Sequence, residues 1–357
     1  MQKTLNELAE YLRILLPPEI SKTFAIDAMF SDISNEESIR KGVIAFRDFL
    51  SRLYNRLPAE DGSFGKPKKE ANAFTDNTNI TASYPFLGCV IVVLANIGLQ
   101  GSLSESRDAI LLDSAQSLLA KNNMFHAKIP DSMKIDSLRF LTVCGIRVDG
   151  LDLNEKKLDL SAYRPLLVSY PENPAMLTGL IVMATAQRNL NSRVVQDIFL
   201  RCDYRVLANQ EIEPYSALKD LINPLPADVR EFVTKLHQNY VGQGHKCVFS
   251  ATNLYIRFTY YCKSKELWRL NLSLNNGYTI TIKATNTEKY ADTIKNFPEW
   301  LQEKVARGYG CGKKKGTSPS CDEGCRGFRV SLDKSFMEIC NDIETWIDKE
   351  VSCLQKK

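Results

Sequence analysis

The chain contains only three histidines in 357 residues, His126, His237 and His245. None is tied by sequence to the cysteine loop, so a cysteine nucleophile with a positioned imidazole base has no sequence support. His245 stands two residues before Cys247, which would put both side chains on one face of a strand; coincidence at a domain junction is the plainer reading. Long apolar runs are also lacking. The most apolar stretch, residues 85–99, contains Gly88, Asn96 and Gly98 and falls short of the roughly 20 residues that a membrane span needs. A buried helix is expected there, and no membrane partner. The first residues have no basic stretch, apolar core or small-residue cleavage pattern, so a cytoplasmic location is expected.

Strong charge of one sign is missing as well. The net charge is +4, too small to imply a nucleic-acid or membrane partner by itself. Its distribution says more. From residue 245 onward there are 19 Lys+Arg against 13 Asp+Glu, a net of +6, and the remainder is at −2. The C-terminal part is modestly basic.

The residues that are present describe a soluble globular protein. Apolar residues make up 44% and charged residues 25%, ordinary values for a packed chain. The length suggests two or three domains. Three regions are expected: N-terminal helices and a linker over 1–80, a mainly helical region over 81–243, and an α+β domain over 244–357. The expected fold class is therefore α+β multi-domain, with winged-helix-like units considered in the helical part and an antiparallel sheet after it.

The helical signals are clear. Thr4 and Glu7 form a capping box ahead of Leu5, Leu8, Leu12 and Leu15, and Pro17-Pro18 stops the helix. Ser34 and Glu37 suggest a second box, opening a helix that carries Ile39, Val43, Phe46, Leu50 and Leu53. Residues 58–79 are rich in Gly, Lys, Asp, Asn and Thr and read as a linker or mobile loop. Ser83-Tyr84-Pro85 and Ser169-Tyr170-Pro171 each precede an apolar helix, which fits two diverged copies of one unit or a chance match. A helix over 131–143, closed by Gly145, leads into a hairpin about residues 154–157, the outline of a winged helix. Asp149, Asp152, Glu155 and Asp159 make that hairpin a poor surface for phosphates, so a structural role is favoured. Helices are expected near 194–200, 215–222 and 227–239.

At Gly242 and Gly244 the hydrophobic period changes from 3.6 to 2. Leu254, Ile256, Phe258 and Tyr260 alternate with Tyr255, Arg257, Thr259 and Tyr261, and similar alternation runs through residues 267–274 and 278–283. This pattern predicts antiparallel strands with one buried face. Asn275-Asn276-Gly277 supplies a tight hairpin, and a strand over 246–251 completes a four-stranded meander. The opposite face would carry Tyr255, Arg257, Tyr261, Arg269, Asn271 and Lys283. Tyr255, Arg257, Tyr261 and Arg269 are the candidate ligand-binding residues. A solvated face or the lining of a small-molecule cleft is favoured over a single-stranded nucleic-acid platform. Two helices near 287–295 and 298–307 should come next, and residues 335–353 should form a final helix docked on the sheet.

Between them lies a glycine-rich loop with Cys311, Cys321 and Cys325. Cys321 and Cys325 have the close spacing that aims two thiolates at one zinc ion, Cys311 could reach the same point, and Cys340 is the nearest candidate for a fourth ligand. A structural zinc site, free thiols and a disulfide remain alternatives, the last disfavoured in a reducing cytosol. Gly312-Lys313-Lys314-Lys315-Gly316-Thr317 is not a phosphate-binding P-loop, since position 307 is Arg and a second Lys comes directly after Lys313. Among the other cysteines, Cys89 and Cys144 read as small core residues.

The stretch from about Ile129 to the C-terminus resembles uncharacterised proteins of anaerobic bacteria. The resemblance is carried above all by Asn276-Gly277, the Trp300 helix and the Gly-Tyr-Gly-Cys-Gly loop that leads to Cys325. It implies a C-terminal α+β domain with clustered cysteines before a strand and a last helix, and no assigned activity. The expected function is a non-enzymatic small-ligand sensor or adaptor; the alternatives are a nucleic-acid-binding regulator and, third, a thiol-dependent enzyme.

Overall fold

A computed structural model describes residues 4–60, 85–119, 131–154, 164–189, 197–208, 210–252, 255–307 and 327–355. Residues 61–84, which include most of the linker expected over 58–79, the tip of the expected hairpin and the loop holding Cys311, Cys321 and Cys325 lie outside the described residues, while Leu57–Glu60 form a 3-10 turn. The chain divides into two compact units, Met1–Ile212 with Ala251–Leu254, and Glu213–Ser250 with Tyr255–Lys357.

The first unit begins with α1 (Leu5–Leu15). Its capping box is as expected: Glu7 N donates to Thr4 Oγ1 at 3.2 Å, and Thr4 N donates to Glu7 Oε2 at 2.9 Å. Leu5, Leu8, Leu12 and Leu15 are buried. The next helix, α2 (Glu36–Arg56), is capped by Asn35, which accepts from Ser38 N, and not by a Ser34–Glu37 box. Ser34 is buried and its hydroxyl accepts from Arg107, so a tertiary bond outcompetes the local cap.

The apolar run forms α3 (Pro85–Gln100), buried on every side from Leu87 to Ile97. Among the described residues no helix is long and apolar enough to cross a membrane. Then come β1 (Ser102–Leu103), β2 (Ala109–Leu112), α4 (Asp131–Val143), β3 (Arg147–Asp149), β4 (Leu166–Ser169), α5 (Ala175–Asn189) and the single turn α6 (Ile198–Arg201). The strands make an antiparallel sheet ordered β1-β2-β4-β3. The β3–β4 pair, with Arg147 opposite Ser169, is the expected hairpin, but β1 and β2 extend it into a four-stranded sheet that no sequence pattern announced. The two helices of the repeated tripeptide, α3 and α5, pack together where Gly98 meets Leu180 and Ala184. Their C-terminal continuations differ, a strand pair after α3 and a short helix after α5.

The second unit contains α7 (Pro214–Ile222), α8 (Ala227–Gly242), β5 (Lys246–Ala251), β6 (Tyr255–Cys262), β7 (Lys265–Ser273), β8 (Gly277–Lys283), α9 (Ala291–Ile294), α10 (Glu299–Arg307), β9 (Gly327–Ser331) and α11 (Cys340–Gln355). The sheet is a five-stranded meander ordered β5-β6-β7-β8-β9, one strand more than the alternation pattern suggested. Ser273 pairs with Gly277, leaving a three-residue loop that ends on Gly277 at φ +61°, a conformation glycine adopts without steric cost. The sequence boundary at 243/244 differs from the division at 212/213, because α7 and α8 pack on this sheet. His237 meets Tyr260, Tyr240 meets Trp268, and Tyr278 Oη donates to Leu221 O at 2.6 Å. The apolar face, with Phe258, Tyr260, Trp268, Leu270, Ile280, Ile282 and Phe328, is fully buried. Trp346 of α11 closes it against Phe328 and Phe297.

Candidate anion-binding face on the second sheet

Period-2 alternation puts the apolar residues of β6, β7, β8 and β9 on the helix side and leaves a polar row on the other side. The register aligns that row. Arg257 is opposite Asn271, which is opposite Thr279; Thr259 is opposite Arg269, then Thr281, then Arg329. Three arginines on three strands thus share one face. Thr281, flanked in the ladder by Arg269 and Arg329, is completely buried, and Thr259, Asn271 and Thr279 are nearly so. The arginines themselves are half-buried.

The side chains are oriented by one another. Arg257 Nε donates to Asn271 Oδ1 at 2.8 Å, and Asn271 Nδ2 in turn donates to Thr281 Oγ1 at 3.4 Å. The Arg257 guanidinium lies 4.2 Å over the centre of the Tyr255 ring, a cation–π contact that fixes its height above the sheet. At the β6–β7 irregularity between Tyr260 and Tyr261, Glu266 faces Tyr261 across the ladder. Glu266 Oε1 approaches Arg269 Nε only to 3.8 Å, and both atoms are buried without a hydrogen bond.

Electrostatically this is a repulsive arrangement. Burial, and after it the charge of Arg269, push the Arg257 guanidinium below its ordinary value; Arg329 acts in the same sense, while Tyr255 and Glu266 oppose it. A guanidinium stays charged under such pressure, so the fold holds like charges together at a partly desolvated surface.

Of the residues the sequence pointed to, Tyr255, Arg257 and Arg269 come together here, with Tyr261 at the irregular end of the row. Glu266, Thr281 and Arg329 were missed. Arg329 was legible in principle, since Phe328 and Val330 flank it in the same alternation.

A second polar group lies on the apolar side. His237 Nδ1 and the Tyr260 hydroxyl share a hydrogen bond of 2.8 Å, and Tyr260 stacks on Trp268 at 3.7 Å. The Cys247 thiol also bonds Tyr260, yet burial raises its pKa to about 12. A thiol so raised stays protonated at neutral pH and lacks the thiolate a nucleophile requires. His237, not His245, belongs to the Cys247 network; His245 is buried against Tyr240, with Nε2 lacking a hydrogen-bond partner.

Cys89 and Cys144 are buried core residues as expected, and none of the described cysteines is in a disulfide. Cys340 is buried and its Sγ donates to Met337 O at 3.2 Å. Among the described residues no three His, Cys, Asp or Glu side chains are grouped to hold a metal; the three loop cysteines are not among them. Comparison with protein-family models, with curated proteins and with solved structures gave no match.

Proposed function

We propose that this chain is a non-enzymatic binding protein, a sensor or adaptor, that holds a small anionic ligand on the polar face of its second sheet. The observation that supports this is the Arg257–Arg269 relationship. Two guanidiniums from adjacent strands share one half-buried face, and the hydrogen bond of Arg257 goes to the neutral amide of Asn271. Desolvated like charges cost stability unless a counter-charge joins them, and guanidinium forks match the oxygens of carboxylate and phosphate groups. The buried Thr281 and Asn271 give the face a fixed polar floor.

Thermal unfolding of the full chain with inorganic phosphate, sulfate and citrate tests the reading. A ligand at about 100 times its Kd should stabilise the protein by about 2.7 kcal/mol, and Arg257→Gln should abolish the gain. If none of the anions raises Tm at millimolar concentration, the reading fails.

The Arg257–Tyr255 stack also favours a second reading, single-stranded nucleic acid on the same face, because a base could extend the stack. Binding of a labelled oligonucleotide that weakens steeply with salt would favour it; Arg257→Gln and Tyr255→Ala would then both weaken binding.

A further inference from the structure

Resting on that anion-binding reading, we infer that the group recognised on the sheet face is a dianionic phosphoryl group, so that the ligand is a phosphorylated small molecule. Three features carry the choice of phosphoryl over carboxylate.

The first is the spread of the donors. Arg257 and Arg269 are diagonal neighbours on β6 and β7, since each faces the residue two positions along the strand from the other. Diagonal residues stand about 7–8 Å apart at the backbone. A carboxylate offers two oxygens in one plane and is satisfied by a single guanidinium fork. A phosphoryl group offers three terminal oxygens pointing in different directions, so it accepts from two forks approaching from two strands.

The second is preorganisation. The bond from Arg257 Nε to Asn271, together with the Tyr255 ring beneath it, fixes the plane of that guanidinium and leaves its paired Nη donors in one orientation. Asn271 is itself held by Thr281. Such a chain, ending on a completely buried hydroxyl, makes the arginine a fixed donor and not a solvated tether.

The third is the placement of the counter-charge. Glu266 lies beside Arg269 without a hydrogen bond to its Nε, so it orients the cation without occupying that donor. Its single charge offsets one guanidinium, and the Arg257 fork is bonded to the neutral Asn271 amide, so the pair keeps an excess of positive charge for the ligand.

The test is calorimetric titration of the full chain with phenyl phosphate, dimethyl phosphate, sulfate and citrate. Phenyl phosphate should bind at least tenfold tighter than the monoanionic dimethyl phosphate. Because the second ionisation of a phosphomonoester lies near pH 6, its affinity should fall about tenfold between pH 7.5 and pH 5. Sulfate, a dianion throughout that range, should lose far less. Arg257→Lys, which keeps the charge but loses the fork, should weaken phenyl phosphate at least tenfold, with unfolding temperature reported to show that the sheet is intact. Citrate binding as tightly as phenyl phosphate, without the pH step, would overturn the phosphoryl inference and leave the anion-binding reading standing. Failure of every anion to bind would overturn both.

Discussion

Gly42 of α2 and Gly179 of α5 face each other so closely that a Cβ on Gly179 would stand 2.0 Å from the Gly42 carbonyl oxygen. The two helices cross backbone to backbone at this pair, and Phe46 and Thr178 pack around it. Gly179→Ala cannot be absorbed by a flexible side chain, because backbone is what it meets. The expected loss is about 1–3 kcal/mol from overpacking, larger than the roughly 1 kcal/mol that alanine gains in helix propensity. Gly242→Ala has nothing within 4 Å and should be neutral or stabilising. Urea unfolding of both variants decides the point; equal stability of the two would refute the close crossing.

The helices and the second sheet were legible because their periods are local properties of the chain. The stripes of α1 and α2 and the alternation of β6 through β8 each repeat several times within one element. The glycine crossing was not legible, since nothing near Gly42 or Gly179 names its partner 137 positions away. The strands β1 and β2 were missed for a related reason: at two and four residues they are too short to display a period, and the pairing of β2 with β4 is non-local. Asn35 displaced Ser34 as a cap because the arginine that claims Ser34 comes from position 107. In the candidate face, Arg257 and Arg269 were visible as outward residues, while the link through Asn271 to Thr281 depends on register, which alternation alone does not set.

Acid should weaken the second unit through its histidines. Burial lowers the pKa of His237, with Glu213 opposing, and burial lowers that of His245. The unfolded chain therefore binds protons more readily than the folded one. This stabilising contribution is complete above the ordinary histidine value of 6.5 and is lost progressively below it, as pH falls through the lowered folded-state value. Unfolding temperatures between pH 7.5 and pH 5.5 should drop, and His237→Asn, which can keep a bond to Tyr260, should flatten that slope. An unchanged slope would mean that His237 is not held neutral by the fold.

Glu350 pins the loop after β8 to α11. The residue is 1% exposed, and its carboxyl accepts from Asn286 N at 2.9 Å, from Asn286 Nδ2 at 2.8 Å, and from the Tyr290 hydroxyl. Glu350→Ala removes the acceptor and strands buried donors, each at about 1–3 kcal/mol. Glu350→Gln keeps one acceptor oxygen and should cost less. Amide exchange at Asn286 should accelerate in the alanine variant before global unfolding does; exchange unaltered there would show that the pin contributes nothing.

The cysteine loop yields a prediction with its own discriminating variant. Cys321 and Cys325 have the sequence spacing of a zinc-ligand pair, and on that spacing we propose that protein prepared without chelator carries one zinc per chain, lost in Cys321→Ser. A zinc ligand must be a thiolate, whereas the Cys340 thiol donates its proton to the Met337 carbonyl. Cys340→Ser should therefore keep its metal, leaving the fourth position to another ligand. Metal loss in Cys340→Ser would place Cys340 in the coordination sphere and require that hydrogen bond to break. Absence of metal, with all ten cysteines titrating as free thiols in denaturant, would remove the zinc site altogether and leave the loop as a set of ordinary thiols.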